Sequence, residues 1–169
     1  FSQSTGTVLL ASPLFILAGT YMGGSGIAKR LLDCVDAFVG HIKSGLGVVA
    51  VLVCAIMGAI SGSGFTGVAA TGPIMIPKME EQGYPRGYAT ALVTVSSVLG
   101  LLIPPSVVMI MFGWVTECSI LACFLSTLGP GLIITALFCI IHVFWSRQFD
   151  LKVTEKKPFG EFASNAGKM

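Results

Sequence analysis

The chain has 169 residues, of which 54% are hydrophobic and 11% are charged, and its mean hydropathy is +0.87. An ordinary globular domain carries about 25% charged residues. This composition excludes a disordered segment, a nucleic-acid-binding protein and a standard cytosolic enzyme. The net charge of +2 is too small for a strong electrostatic attraction to a polyanion.

Four runs of the sequence contain no Asp, Glu, Lys or Arg: residues 1–28, 44–77, 87–116 and 118–146. Each run is longer than the ~20 residues that an α-helix needs to cross the hydrocarbon core of a bilayer. The sequence therefore predicts an all-α integral membrane protein. Because the chain begins with Phe1 and its first run does not resemble a signal peptide, we expect it to be part of a longer or processed protein.

The first two predicted elements are a membrane span over about residues 8–27 and an amphipathic helix over about 28–43. In the second element, apolar side chains recur at helical spacing with charged side chains between them. Such a helix lies along the cytoplasmic membrane interface or packs on neighbouring protein, and the sequence leaves both interpretations open. His41, near its end, fits a solvated residue better than a ligand.

The third predicted element is a re-entrant helical hairpin over about residues 45–77. A continuous helix over the uncharged residues 44–77 would be ~51 Å long, against a hydrocarbon core of ~30 Å. The sequence Ser61-Gly62-Ser63-Gly64 in its middle favours a turn. A single tilted span is the alternative, but only the hairpin places all ten basic residues on the cytoplasmic side. Hydrocarbon cannot satisfy the backbone at the tip, which must therefore be buried in protein or line a wet cavity.

A short, turn-rich connection over residues 78–86 leads to a broken span over about 88–115. Pro104 and Pro105 near its centre remove backbone donors and disfavour helical geometry, so they predict two half-helices. Ser106 is predicted to cap the second half. The carbonyl end of one half-helix suits a cation and the N–H end of the other suits an anion. Hairpin tips and interrupted helices recur at the binding sites of secondary transporters.

The last predicted span covers about residues 119–146 and contains Gly129-Pro130-Gly131, which predicts a kink. Residues 147–169 are polar and contain no spanning run. We expect them to form a cytoplasmic tail or linker.

These segments resemble the large membrane (permease) subunit of tripartite ATP-independent periplasmic (TRAP) transporters. The resemblance covers nearly all of residues 9–145. The stretches that carry it are SPLFILAG (12–19), GIAKRLLD (26–33), AISGSGFTGVAATGPIMIPKME (59–80), QGYPRGYATAL (82–92), LGLLIPPSVVMIMFG (99–113) and SI…LGPGL (119–132). The order of a Ser-Gly-Ser turn, an I-P-x-M pattern and I-P-P-S is the specific part.

The resemblance implies half of an inverted-repeat transporter of the bacterial inner membrane, with sodium-coupled import of an organic acid such as a dicarboxylate or a sialic acid, and elevator-type alternating access. It also implies a small membrane subunit and a soluble periplasmic binding protein as partners, and membrane lipid around the spans. The residues that match the family's ion-site elements are Ser61, Gly62, Ser63, Gly100, Pro104, Pro105 and Ser106. The hydroxyl groups that we expect to contact substrate are those of Ser63, Thr66, Thr94, Ser97 and Ser106. Phe65 is bulkier than the small residue expected at that position of the tip.

Two other classes of protein remain as alternatives. A channel or a transporter of another family could use similar parts. An intramembrane serine protease would need Ser61 or Ser63 as nucleophile and His142 as base. Because His142 lies near the cytoplasmic end of its span and the hairpin tip lies deep in the membrane, the sequence disfavours the protease.

Overall fold

The structure is a computed structural model, and it describes residues 13–14, 16–21, 25–39 and 44–149. The described regular structure is helical. Residues 13–14 and 16–21 are helical, and the helices that follow are α1 (Ile27–Val39), α2 (Gly45–Ser61), α3 (Gly64–Glu81), α4 (Arg86–Ser97), α5 (Leu99–Leu102), α6 (Val107–Val115) and α7 (Ile120–Ser146). Parts of the predicted first span, the end of the amphipathic helix with His41, and residues 150–169 of the predicted tail lie outside the described residues.

The uncharged stretch in the middle of the chain folds into two helices that pack against each other. α2 ends at Ser61, α3 begins at Gly64, and only Gly62 and Ser63 lie between them. α2 has 17 residues and is therefore about 26 Å long, which is shorter than a typical hydrocarbon core. Most of its side chains are buried, since α1, α3, α4, α5 and α7 all pack against it. The stretch is thus a helical hairpin and not one continuous helix.

The second arm of the hairpin is longer than the sequence predicts. We expected a turn-rich connection from Lys78, but α3 continues through Pro73 and Pro77 to Glu81, and the turn covers only residues 82–85. A proline restricts the residue before it and removes its own N–H, but the chain after it remains free to stay helical. The buried Met79 holds the last turn of α3 in the core, and Gly83, with a φ of 99°, then reverses the chain.

The amphipathic helix α1 packs one face on protein. Ala28 and Leu32 are buried in the same core cluster as the residues of α2. Lys78 of α3 lies 3.7 Å from Asp36 of α1, which adds an ion pair at the edge of this contact. Of the two interpretations open from the sequence, packing on neighbouring protein therefore describes this face of the helix.

Two stretches, Arg86–Val115 and Ile120–Ser146, are long and apolar enough to cross a membrane. The first contains α4, α5 and α6, and the turn at residues 116–119 leads to the second. α7 is helical from end to end, with Pro130 inside it. Leu125, Ile133 and Phe144 are among its exposed apolar side chains, as expected of a surface that faces lipid.

Candidate ion and substrate site

The tip of the hairpin is a two-residue turn that one serine stabilises. Gly62 has a φ of 64°, a left-handed conformation that glycine adopts without steric penalty. The buried Ser61 hydroxyl lies 3.3 Å from the Gly58 carbonyl and 3.1 Å from the Ser63 carbonyl, and the Ser63 N–H donates to the Ser61 oxygen. Ser63 stands at the N-cap of α3, but its side chain makes no capping hydrogen bond. The Ser61 hydroxyl therefore fixes the shape of the turn.

The interruption between α5 and α6 lies at the two prolines. The backbone is extended at Ile103 and again at Ser106, with a cis peptide bond between Pro104 and Pro105, and α6 begins at Val107. Ser106 has the N-cap position predicted for it, but the predicted capping bond is absent. Its hydroxyl is fully buried and has no hydrogen-bond partner among the residues that the structure describes. A buried hydroxyl without a partner costs about 1–3 kcal/mol, and this cost makes the Ser106 hydroxyl a candidate ligand.

The hairpin tip and the helix break are in direct contact. The first N–H of α6, from Val107, donates to the Gly62 carbonyl over 3.3 Å. A tertiary carbonyl thus satisfies one of the N–H groups that a helix start leaves free, which a prediction from local sequence could not include. A Cβ added at Gly62 would lie 3.1 Å from the Pro105 carbonyl oxygen, so only glycine fits there without displacement.

A second contact lies one turn below the tip, where α2 and α5 approach through glycines. A Cβ at Gly100 would lie 2.5 Å from Gly58 Cα and 3.2 Å from the Ser63 carbonyl oxygen. A Cβ at Gly64 would lie 2.8 Å from the Ser97 carbonyl oxygen. The absence of side chains at these positions lets the backbones meet, which brings main-chain oxygens of the tip and of the broken helix to one place.

The electrostatics of this place come from dipoles, because residues 44–77 and 87–116 contain no formal charge. Carbonyl groups at the end of α5 carry partial negative charge, and N–H groups at the start of α6 carry partial positive charge. Carbonyl and hydroxyl oxygens suit a monovalent cation that must be released, whereas clustered carboxylates would suit a divalent ion. The start of α6 suits the negative end of an anion.

Most of the sequence-predicted site residues meet here. Those in the turn, in the break or in the contacts between them are Ser61, Gly62, Ser63, Ser97, Gly100, Pro104, Pro105 and Ser106. Thr66 is half-buried, with its hydroxyl near Gly19. Thr94 makes none of these contacts: it is exposed, and its hydroxyl donates to Thr90 O of its own helix at 2.8 Å. Phe65 is 88% exposed, so its bulk does not crowd the turn.

Sequence reasoning missed two glycines of the site. Gly58 faces Gly100, and Gly19 packs against the tip so closely that a Cβ there would overlap Ser61 Cβ. Neither glycine breaks a helix or has a left-handed φ, so local conformational rules give no signal for them. Only the close approach of two backbones explains them.

His142 lies at the opposite end of the hairpin from the tip serines. Its ring is 3.1 Å from the Ser44 carbonyl, at the start of α2, whereas Ser61 is at the end of α2, about 25 Å away at 1.5 Å per residue. A general base must approach its nucleophile within about 3 Å. His142 therefore cannot act as general base for Ser61 or Ser63, the nucleophiles that the protease interpretation needs.

The comparisons with known proteins identify the family of the chain. The family model for the DctM component of tripartite ATP-independent periplasmic transporters matches residues 3–166. The C4-dicarboxylate TRAP transporter large permease protein DctM of Pseudomonas aeruginosa is 37% identical over 168 residues, which cover 99% of this chain and 39% of that protein. The ectoine TRAP transporter large permease protein TeaC of Halomonas elongata is 39% identical over 90% of this chain and 36% of its own length.

A third relative is the isethionate TRAP transporter permease protein DctMQ of Oleidesulfovibrio alaskensis, 36% identical over 81% of this chain and 21% of its own length. These relatives are transporter permeases and not enzymes. The chain spans about two fifths, or less, of the relatives that it matches. Since the family model covers nearly the whole chain, this protein belongs to the DctM family, the large permease component of TRAP transporters.

Proposed function

We propose that the chain forms one half of the translocation pathway of a secondary transporter that imports an organic acid together with sodium. The observation that carries the proposal is the Ser106 hydroxyl, which is fully buried without a partner where the hairpin tip meets the helix break. With nearby carbonyls of the turn and of the broken helix, it supplies the neutral oxygen ligands that a sodium ion prefers.

Two arguments support an organic acid as the substrate class. The start of α6 has no side-chain cap, and the partial positive charge of the helix start favours a carboxylate. Among the relatives, the DctM protein of Pseudomonas aeruginosa is named for C4-dicarboxylates. An organic acid held between the tip and the break would place its carboxylate at the partial positive charge of the α6 start. Sodium beside it would meet the partial negative charge of the carbonyl groups at the end of α5.

The partners and the motion complete the proposal. Family membership suggests a small membrane subunit and a periplasmic protein that delivers the substrate, in the inner membrane of a bacterium. The hairpin and the broken helix meet through backbone contacts at Gly58, Gly62 and Gly100. Helices joined this closely suit a rigid unit that carries the site across the membrane in an elevator motion.

The test uses the whole transporter, purified with its small subunit and reconstituted into liposomes with its binding protein. An imposed sodium gradient should drive substrate accumulation, and a potassium gradient should not. Uptake that only equilibrates the substrate, whatever the ion, would instead indicate a channel.

Serine variants test the proposed ligands. Sodium should protect the purified transporter against thermal unfolding, and Ser106→Ala or Ser63→Ala should weaken this protection. Ser126→Ala is the matched control, because that exposed serine of α7 bonds only to its own helix in the described structure. Unchanged sodium protection in both Ser106→Ala and Ser63→Ala would remove these serines from the site.

A further inference from the structure

A buried histidine connects three helices at the base of the hairpin. His142 of α7 is 1% exposed; its Nδ1 lies 2.8 Å from the Tyr88 hydroxyl of α4, and its Nε2 lies 3.1 Å from the Ser44 carbonyl at the start of α2. A carbonyl only accepts hydrogen bonds, so Nε2 carries the proton and donates to Ser44. Nδ1 then accepts from the Tyr88 hydroxyl. A neutral imidazole therefore has a partner on both of its nitrogens.

The start of α2 is shaped to receive this ring. Ser44 has the N-cap position of α2, yet its side chain makes no cap; its hydroxyl instead pairs with the hydroxyl of Ser146 from α7. The Ser44 hydroxyl, which at an N-cap ordinarily accepts a backbone N–H of the first helical turn, thus bonds to the neighbouring helix α7 instead. A Cβ at Gly47 would lie 2.8 Å from His142 Cδ2 and would overlap the ring atoms Cε1 and Nε2. Only glycine at position 47 lets the imidazole lie against the first turn of α2.

The second foot of the hairpin reaches the same ring. Tyr84 follows the end of α3, and its ring centroid is 5.8 Å from that of His142. Tyr84 and Tyr88 stack with their centroids 6.0 Å apart, and Phe149 packs against both. The imidazole therefore contacts the segment that enters the hairpin and the segment that leaves it.

We infer that His142 is a positioning residue of the transporter, a hydrogen-bonded clasp that holds the two feet of the hairpin together on α7. The turn at Gly62 joins the two arms at one end and the clasp joins them at the other. α7 also touches the helix break, since a Cβ at Gly131 would lie 3.1 Å from Ile103 Cγ1. With α7 fixed to the base of the hairpin and to the break, the hairpin tip has one position relative to the break.

The inference deepens the proposed function and rests on it only for its consequence in transport. The first measurement is therefore a distance that needs no ion and no substrate. Spin labels are placed at Phe65→Cys beside the tip and Leu132→Cys on α7, both exposed positions, in the full transporter with this chain's five cysteines and every other cysteine of the transporter replaced. Pulsed electron paramagnetic resonance then gives the distribution of tip-to-α7 distances.

The label distances should form one narrow distribution when His142 is present. His142→Leu, which removes the hydrogen bonds to Ser44 and Tyr88, should at least double the width of this distribution. His142→Gln should keep it narrow, because its amide N–H can still donate to the Ser44 carbonyl. Ile141→Leu, an exposed change on the same helix, is the control and should leave the width unchanged.

The variant Tyr88→Phe keeps the whole imidazole and removes only the hydroxyl that donates to Nδ1, so it decides the matter if His142→Leu does not fold. It should broaden the distribution in part. An unbroadened distribution in Tyr88→Phe overturns the inference, as does equal broadening in His142→Gln and His142→Leu, since the hydrogen bonds would then not set the position of the tip.

The transport measurement follows separately. In His142→Leu the sodium concentration for half-maximal uptake should rise at least threefold to tenfold, because the loss of even one net hydrogen bond corresponds to that range, with rescue in His142→Gln. An unchanged half-maximal sodium concentration in His142→Leu would remove the link between the clasp and the ion site. Sodium-independent uptake by the unaltered transporter would refute the proposed function and leave the distance result standing.

Discussion

The close approach of α2 and α5 makes Gly100→Ala the most informative single substitution in the chain. The added Cβ would lie 2.5 Å from Gly58 Cα, whereas carbon atoms in favourable contact are about 3.5–4.0 Å apart, so the two helices must separate by about 1 Å or more. Backbone atoms line this contact, and no flexible side chain can move aside. Overpacking of this kind costs about 1–3 kcal/mol in the free energy of unfolding.

The displacement should also reach the candidate ion site. The same Cβ would lie 3.2 Å from the Ser63 carbonyl oxygen in the turn, and the helix break begins three residues after Gly100. We therefore expect Gly100→Ala to lower the thermal stability of the purified transporter and to weaken sodium-driven uptake in liposomes.

Gly87→Ala is the matched control for this substitution. Gly87 lies in the first turn of α4, and a Cβ there would meet nothing within 4 Å among the described residues. Alanine in an open helical position is favoured over glycine by about 0.5–1 kcal/mol, so this variant should be as stable as the unaltered protein or more stable. If Gly100→Ala matched Gly87→Ala in both unfolding temperature and uptake, the backbone contact between α2 and α5 would not exist as described.

Three further predictions concern the core, the edge of α1 and the loop after α3. Met57→Ala should cost about 2–5 kcal/mol in thermal unfolding, because Met57 is fully buried, whereas Met111→Ala at a 40% exposed position should cost clearly less. Asp36→Asn, which removes the partner of Lys78, should cost less than about 1 kcal/mol at low salt and nothing measurable at high salt. Burial, with a smaller contribution from Tyr88, raises the pKa of Tyr84 to about 12. The unfolded chain loses this proton near pH ~10, so the contribution of Tyr84 to the free energy of unfolding should be fully present below pH ~10 and should decline as the pH rises toward 12. Tyr84→Phe, which has no titrating hydroxyl at this position, should reduce that decline.

The parts of the fold that follow from local backbone rules could be predicted from the sequence. The turn at Gly62 and Ser63 requires a residue that adopts a left-handed conformation, which glycine does. The break at Pro104 and Pro105 follows from the backbone N–H groups that prolines lack. Both features can therefore be predicted from residue types alone. The exposed apolar face of α7 likewise follows from the absence of charge in its run.

What the sequence could not provide is the set of contacts between those elements. Ser106 follows a helix break and is a residue type that commonly caps helices, but its hydroxyl has no partner among the described residues. The Gly62 carbonyl instead accepts the hydrogen bond of the first N–H of α6. Thr94 lies in the right span, yet it is exposed on a face that makes no contact with the tip. Both outcomes depend on how two helices rotate against each other, which a local pattern does not encode.

The candidate site at the tip of the hairpin and the His142 clasp at its base depend on different kinds of residue. Most of the candidate ligand atoms at the tip are main-chain oxygens. The positions that must be conserved in size there are therefore those of small residues such as Gly58 and Gly100, which allow the backbones to meet. At the base, the constraint falls on side chains, because His142 must reach Ser44 and Tyr88 at hydrogen-bonding distance. A site built mainly from backbone dipoles and short serine side chains has no long side chains that could move to compensate for a displaced helix. Its geometry must therefore be imposed from elsewhere, and a polar clasp at the far end of the same two arms is a direct physical means of imposing it.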